Sequence, residues 1–253
     1  MTAKGPNRWT MVVELLARPY PTSASVVIPF LAWCLIVPGY LVVGAYARSR
    51  TLHMPELALD RAIPLEPSWS LVYGSLYFAV FLPLLLVREE AHIVRTLWAY
   101  VLVWIVGLAG WLAYPTILVR PSSEAIGEGF FAWALRIVYL WDEPYNCFPS
   151  LHVAQAFLAA LTCSYVSRGV GLAAAIWASL IAISTLFTKQ HYVADVIAGI
   201  VLALAAFAVF LRDPRLEATP RLDRRMGPVI VMGFIGLHGL VISGFWVAFH
   251  FRR

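Results

Sequence analysis

Two histidines and an aspartate stand in otherwise apolar stretches and have the side chains that proton or group transfer requires. His191 and Asp195 lie four residues apart in "TKQHYVADVIAG", where an apolar run begins. This spacing places both side chains on one face of a helix, so the carboxylate can hold one ring nitrogen while the other faces a cavity. Burying an aspartate at the centre of a membrane helix costs about 2.5–3.5 kcal/mol, and a functional role is therefore favoured. We predict that Asp195 orients His191.

The second histidine, His152, lies in "NCFPSLHVA" at the start of another apolar run. Pro149 is suited to an early helical position, where its missing N–H does no harm. The free N–H groups of Ser150, Leu151 and His152 would then point out of the helix end, together with its positive dipole. Such a helix end binds anions, most often phosphate. Ser150 is therefore a candidate phosphate-binding residue.

Two cations are predicted to lie on the same side of the membrane as these histidines. Arg120, in "ILVRPSS", follows the third apolar stretch, and Lys189 precedes His191 by two residues. Taken separately, each resembles a basic residue that flanks a membrane helix. Together with the two histidines they predict a pocket for a phosphate ester.

The composition indicates that membrane helices position these residues. The chain has 253 residues, of which 61% are hydrophobic and 13% charged, with a mean hydropathy of +0.77. A soluble domain cannot bury so much apolar surface. Because lipid offers no hydrogen-bond partners, the spans should be helices, which predicts an all-α polytopic transmembrane bundle with about six core spans and one extra C-terminal span. The predicted spans are residues 25–47, 69–87, 96–114, 152–166, 170–187, 192–211 and 228–249.

We expect residues 1–24 to form an interfacial segment and residues 25–253 a single membrane domain. The segment "RWTMVVELLARPY" suits an amphipathic helix on the bilayer surface, as does "GEGFFAWALRIVYLWDEPYN" between the third and fourth spans. The basic residues flank helices, so the net charge of +5 reflects membrane orientation and not a nucleic-acid partner. Lysines and arginines are slightly more numerous in the segments on the same side of the membrane as the N-terminus, which we therefore assign to the cytoplasm. This orientation predicts a plasma (inner) membrane protein whose site faces the extracytoplasmic side. Cys34, Cys147 and Cys163 cannot make a disulfide framework.

The two motifs resemble those of a known family. "CFPSLHVA" and "TKQHYVADVIAG" are similar to the second and third motifs, Pro-Ser-x-His and His-x-x-x-Asp, of the type 2 phosphatidic acid phosphatase (PAP2) superfamily, over about residues 95–211. Their wording is similar to the inositol phosphorylceramide synthase-like branch. The resemblance implies that His191 is the nucleophile that accepts the phosphoryl group, that Asp195 orients it and that His152 is the general acid.

The chain departs from the family pattern at two cations. Arg120 and Pro121 fit the end of the first motif, but Ala113 stands where the family has lysine. Thr185 stands where the third motif usually has arginine. Our hypothesis is that Lys189 replaces one of these cations. The departures bear on substrate charge and headgroup more than on the type of reaction.

The expected function is that of a lipid phosphatase or phosphotransferase that forms a phosphohistidine intermediate without a metal or cofactor. Its substrates would be membrane lipids carrying a phosphate or phosphodiester. Transfer to water or to an alcohol, including inositol-phosphate transfer to a lipid alcohol, is open, and so is the oligomeric state. A metal-dependent membrane hydrolase using His152, His191 and Asp195 is an alternative. An anion or proton transporter is another, and a purely structural membrane protein would leave the buried pair unexplained.

Overall fold

The computed structural model describes residues 21–212 and 221–251, together with Thr10, Val13 and Glu14, and for residues 221–225 the backbone alone. The expected interfacial segment at residues 1–24 lies largely outside these described residues. Within them the fold is an all-α polytopic helical bundle, as predicted. The only β-type pairing in this part of the chain is a single bridge between His53 and Thr116.

The helices of the described residues are numbered in chain order. They are α1 (Ala24–Ile36), α2 (Gly39–Ala47), α3 (Ala58–Ala62), a 3₁₀ turn (Pro67–Trp69), α4 (Ser70–Gly74), α5 (Leu76–Ala79), α6 (Leu82–Leu86), α7 (Glu90–Ala113), α8 (Ser123–Ile126), α9 (Phe130–Trp141), α10 (Leu151–Cys163), α11 (Arg168–Phe187), α12 (Val193–Phe210) and α13 (Arg221–Phe251). Five stretches are long and apolar enough to cross a membrane, namely Ala24–Ala47, Glu90–Ala113, Arg168–Phe187, Val193–Phe210 and Met226–Phe251. These correspond to five of the seven predicted spans.

The second predicted span, residues 69–87, is not one continuous helix. It consists of the 3₁₀ turn and the short helices α4, α5 and α6. Ser75 lies at a break, where its hydroxyl donates to the Val72 carbonyl and accepts from the Trp177 indole N–H at 2.7 Å. Pro83 has no N–H to continue a helix from the preceding turn. Hydropathy identified the apolar run, but not these breaks.

The short helix α10 lies at the centre of the bundle, where it packs against α7, α11 and α12. Its 13 residues correspond to roughly 20 Å at about 1.5 Å per residue, less than the ~30 Å of hydrocarbon. It begins at Leu151, so the prediction that Pro149 is an early helical residue is wrong. Pro149 precedes the helix and follows a cis peptide bond, and Ser150 is the N-cap.

Glycines allow neighbouring helices to approach the start of α10 closely. A Cβ added to Gly199 of α12 would lie 2.6 Å from the Ser150 carbonyl oxygen. On α7, a Cβ at Gly107 would lie 2.4 Å from the Leu151 side chain, and one at Gly110 would lie 2.7 Å from the Pro149 ring. A side chain at Gly199 or Gly110 would meet backbone or a proline ring and push α10 away from its neighbours, whereas one at Gly107 would displace the Leu151 side chain.

Three connecting segments, residues 48–69, 115–149 and 188–192, meet over one end of the bundle. His53 N–H donates to the Pro115 carbonyl at 2.9 Å, and Glu66 N–H donates to the Phe187 carbonyl at 2.9 Å. The Tyr139 hydroxyl, on the predicted interfacial helix α9, donates to the Thr188 carbonyl at 2.6 Å. The segment that carries Arg120 and the turn that carries Lys189 thus lie at the same end of the bundle, as predicted. We call these three segments the cap.

Candidate active site

The two histidines of the sequence motifs meet beneath the cap. His152 Nδ1 lies 3.1 Å from His191 Nε2, and the rings are tilted by 59°. His152 is in the first turn of α10, and His191 lies just before α12. The direct bond between Ser150 N–H and the Asp195 carbonyl, at 3.1 Å, holds these two helix starts together.

Asp195 lies on the far side of the His191 ring and is fully buried. Its Oδ2 lies 3.4 Å from His191 Nδ1 and accepts a hydrogen bond from Tyr192 N–H at 2.8 Å. The carboxylate thus caps the first turn of α12 and also orients the histidine ring. Its Oδ1 has no hydrogen-bond partner among the described residues. The predicted pairing of Asp195 with His191 is present, and His191 Nε2 is left facing His152.

His152 has a second set of partners that the sequence motifs did not indicate. Its Nε2 lies 2.7 Å from the Tyr73 hydroxyl and 3.5 Å from Asp142 Oδ2. The hydroxyls of Tyr40 and Tyr73 both donate to the Asp142 carboxylate. Asp142 comes directly after α9 in "LWDEPYN", where Glu143 is an equally acidic neighbour, so composition alone could not select it.

The charge of Asp142 is stabilised by its surroundings. Burial alone would raise the pKa of this carboxyl, but the His152 ring and the hydrogen bonds from Tyr40 and Tyr73 hold it below its ordinary value. Asp142 is therefore ionised at neutral pH, and a negative charge lies beside His152.

Arg120 joins three parts of the cap. Its Nη1 donates to Gln190 Oε1 and its Nη2 donates to the Asp142 carbonyl at 2.7 Å. Its guanidinium also lies 4.1 Å from the centre of the Tyr139 ring, a cation–π contact. Arg120 lines the same pocket as His191, and its side chain also has a structural role.

Lys189, the other predicted cation, is held by backbone carbonyls. Its Nζ donates to Ile63 O at 2.6 Å and to Asp60 O at 3.1 Å. Burial lowers the pKa of Lys189, against the opposing effect of the Asp60 and Glu56 charges. The Asp60 carboxylate accepts from Val193 N–H and Leu57 N–H at 2.8 and 2.7 Å. Asp60 therefore caps the start of α12. No sequence motif could indicate this contact, because it joins distant parts of the chain.

A pocket of about 470 Å³ opens onto His191 from the cap. Both predicted cations line it, together with an ion pair between Arg61 and Glu56 at 3.2 Å. The pocket therefore offers positive charge next to His191, and further donors and acceptors a few residues away. Such a surface suits a phosphate with a polar headgroup.

Ser150 is placed differently from the expectation. It is fully buried, its Oγ accepts from Val153 N–H at 3.3 Å, and its own N–H is bonded to Asp195. One of the three N–H groups expected to hold phosphate, that of Ser150, is thus engaged within the protein. Ser150 caps α10 and fixes its position relative to α12.

The two positions where the family has a cation and this chain does not lie in different surroundings. Ala113 is exposed at the end of α7. Thr185 is fully buried, and its carbonyl accepts from Gln190 N–H and His191 N–H at 2.8 and 3.2 Å. Thr185 therefore shapes the turn that presents His191 and supplies no charge.

Cys147 is a further residue of this site. One ligand atom each from Cys147, His191 and Asp195 lies within 4.8 Å of the others, and all three residues are buried. Cys147 is a free thiol whose pKa is raised by burial. These residue types are able to hold a soft divalent cation such as zinc. The group has Cys147 where the sequence had suggested His152.

Comparison with known proteins identifies the family. A family model described as the PAP2 superfamily matches residues 51–209, more than half of the chain. The chain therefore belongs to the PAP2 superfamily, whose members are generally phosphatases. The match begins upstream of residue 95 and includes the part of the cap that carries Asp60. Neither the curated proteins nor the solved structures gave a significant match.

Proposed function

We propose that the protein is an integral-membrane lipid phosphatase or phosphotransferase that acts through a phosphohistidine at His191. Membership of the PAP2 superfamily supports a phosphatase-type function. The observation that carries the finer proposal is the chain of contacts from Asp195 through His191 to His152, with separations of 3.4 and 3.1 Å. One ring can act as nucleophile while the other acts as acid.

In the first half of the reaction His191 Nε2 attacks phosphorus and the bond to the leaving oxygen breaks. Asp195 holds the proton on Nδ1, so that Nε2 keeps its lone pair. His152 gives a proton to the leaving oxygen. Arg120 and Lys189 would stabilise the non-bridging oxygens as their charge redistributes. The reaction needs no metal.

Substrate binding must separate the two rings. Their nitrogens are 3.1 Å apart, whereas an attacking nitrogen alone needs about 3–3.5 Å to phosphorus before reaction. A phosphoryl group therefore cannot enter between them without movement of a side chain or of the cap. The hydrogen bond between the rings is a feature of the free enzyme.

In the second half, water or an alcohol attacks the phosphohistidine and gives its proton to His152. Water as acceptor makes the enzyme a phosphatase, and a lipid or sugar alcohol makes it a transferase. Because the pocket lies at one end of the bundle, a lipid can present its headgroup there while its chains stay in the bilayer. We assign this end to the extracytoplasmic side, and we include inositol-phosphate transfer to a lipid alcohol among the candidate reactions.

The direct test is to trap the intermediate. Purified protein would be incubated with lipid phosphates and phosphodiesters labelled at phosphorus, with and without inositol lipids, and quenched in alkali, where phosphohistidine survives. Label should appear on the protein, and chromatography of the products separates hydrolysis from transfer. Turnover in the absence of any labelled protein would count against His191 as nucleophile.

The Cys147, His191 and Asp195 group supports a second candidate, a metal-dependent hydrolase. Strong chelation and a Cys147→Ser substitution should both silence such an enzyme, because each removes the metal or a ligand. We expect the opposite result, with activity retained in both cases and inhibition by vanadate, which mimics phosphoryl transfer. Cys34→Ser is the matched control, since Cys34 is exposed on α1.

Arg120→Ala should weaken substrate handling more than folding. We expect KM to rise and kcat/KM to fall by about 100-fold, since a charge-assisted contact to a bound phosphate contributes about 1.5–3 kcal/mol. Steady-state kinetics together with a thermal melt would measure both effects. The control is Arg136→Ala, whose guanidinium bonds only to the carbonyls of Ser123 and Gly127 among the described residues. An unfolded Arg120 variant would favour a structural role.

A further inference from the structure

We propose that Asp142 is a positioning residue for His152 and that, together with the Tyr73 hydroxyl, it stabilises the doubly protonated form of this ring that a general acid needs. The site would then contain two imidazole–carboxylate pairs, one for the nucleophile and one for the acid. The inference rests on the proposed function, because it assigns a partner to the acid of that reaction.

The hydrogen bonds limit where the protons can be. Asp195 Oδ2 can only accept, so His191 Nδ1 carries the hydrogen of that contact. The single hydrogen between His191 Nε2 and His152 Nδ1 can lie on either nitrogen. The reaction requires it on His152 Nδ1, because His191 Nε2 must keep its lone pair to act as the nucleophile.

The other nitrogen of His152 is constrained in the same way. The Tyr73 hydroxyl has one hydrogen, which it donates to Asp142 Oδ2. Its oxygen can then only accept from His152 Nε2, at 2.7 Å. With a hydrogen on Nδ1 as well, His152 is an imidazolium whose counter-charge is the Asp142 carboxylate 3.5 Å away. Burial disfavours this charged ring, and the Asp142 charge opposes that effect. Without that charge a buried imidazolium would be costly.

The surroundings of Asp142 keep it in this role. Tyr40 donates to its second oxygen, so both carboxylate oxygens are bonded. Arg120 holds the Asp142 backbone carbonyl at 2.7 Å. The same arginine thus contacts the pocket and fixes the backbone of the residue that orients the acid.

The proton balance follows from this geometry. His152 Nδ1 faces His191 Nε2 and therefore the phosphorus, so Nδ1 gives the proton to the leaving oxygen as the nitrogen–phosphorus bond forms. His152 Nε2 keeps its hydrogen on Tyr73 throughout. In the second half, the acceptor hydroxyl returns a proton to Nδ1 as its oxygen bonds to phosphorus and the nitrogen–phosphorus bond breaks.

The test compares two leaving groups in Asp142→Asn. A poor leaving group, an alkyl alcohol, needs a proton from His152, whereas 4-nitrophenolate leaves without one. With alkyl esters of the lipid phosphate we expect kcat/KM, which reports the first half of the reaction alone, to fall about 100-fold, the lower end of the usual contribution of a general acid. With the 4-nitrophenyl ester kcat/KM should stay near that of the wild type. A purely structural defect would lower both rates together.

The pH profile gives a second readout. The groups that face His152 are Tyr73, Asp142 and His191, with Arg120 as the nearby cation. Removing the negative charge of Asp142 disfavours the imidazolium, so the alkaline limb of kcat should move to lower pH in Asp142→Asn. Tyr73→Phe, which removes only the bridging hydroxyl, should produce a smaller change in the same direction, and it keeps the test valid if the asparagine variant does not fold.

Glu143→Gln is the matched control, because this neighbouring carboxylate pairs with Arg48 and not with a histidine. His191→Ala in the same assays separates the two proposals. If it stays active, the proposed function is wrong. Two results with an inactive His191→Ala would overturn only the role of Asp142. One is that Asp142→Asn and Tyr73→Phe keep the wild-type alkaline limb, and the other is that they lose activity equally towards both esters.

Discussion

His191→Ala should abolish turnover while the protein remains folded. The substitution removes the atom that bonds to phosphorus, so no covalent intermediate can form, and we expect a loss of at least about 10⁴-fold in kcat. The ring bonds only to His152 and Asp195 among the described residues, and Asp195 keeps its bond to Tyr192 N–H. Initial rates, trapping of labelled protein and a size-exclusion profile in detergent would measure the three expectations.

His250→Ala is the matched control for this variant. His250 is exposed near the end of α13, where its ring contacts the Trp246 carbonyl in the same helix. It should keep wild-type activity. A His191→Ala enzyme that turned over the true substrate at the wild-type rate would show that phosphorus is attacked by something else.

Gly199→Val should have the second largest effect, although its side chain would never touch a substrate. The new Cβ would lie 2.6 Å from the Ser150 carbonyl oxygen, which already accepts from Ala154 N–H within α10 at 3.0 Å. The helices must therefore move apart, and a shift of about 1 Å at a reacting pair can cost roughly 100-fold in rate. Overpacking should also destabilise the fold by about 1–3 kcal/mol.

Kinetics and a thermal melt of Gly199→Val would measure both effects. Gly233→Val is the control, because a Cβ at Gly233 of α13 meets nothing within 4 Å. That variant should keep both its rate and its melting temperature. Normal activity in Gly199→Val would mean that the start of α10 does not need its observed position relative to α12.

Much of the architecture could be predicted because apolar runs and membrane thickness are local, one-dimensional properties. Five spans have their predicted places, and counting them brought His152 and His191 to one end of the bundle. The prediction of a helical span at residues 69–87 missed the breaks at Ser75 and Pro83, and the prediction for Pro149 was wrong, since this residue precedes α10. These errors arise where side chains or a proline ring compete with regular helix hydrogen bonds.

The partners of His152 could not be predicted for a different reason. Tyr73 and Tyr40 come from the first third of the chain and Asp142 from the loop before α10, so no short motif joins them. Asp60 likewise reaches α12 from a segment without periodicity. The lining of the pocket depends on the same segment, so the motifs alone could not predict which headgroup it fits.

The contacts of Arg120 predict how a bound phosphate would change the thermal stability of the protein. The guanidinium contacts Gln190, the Asp142 backbone and Tyr139 at the same time. A phosphate that replaces these contacts would make the cap less ordered. A phosphate that binds the guanidinium without breaking them would make the cap more ordered. Binding and local order are then linked, and an occupant that favours the ordered state raises the melting temperature by mass action. Lipids with different headgroups would then differ in how far they raise the melting temperature, even without turnover.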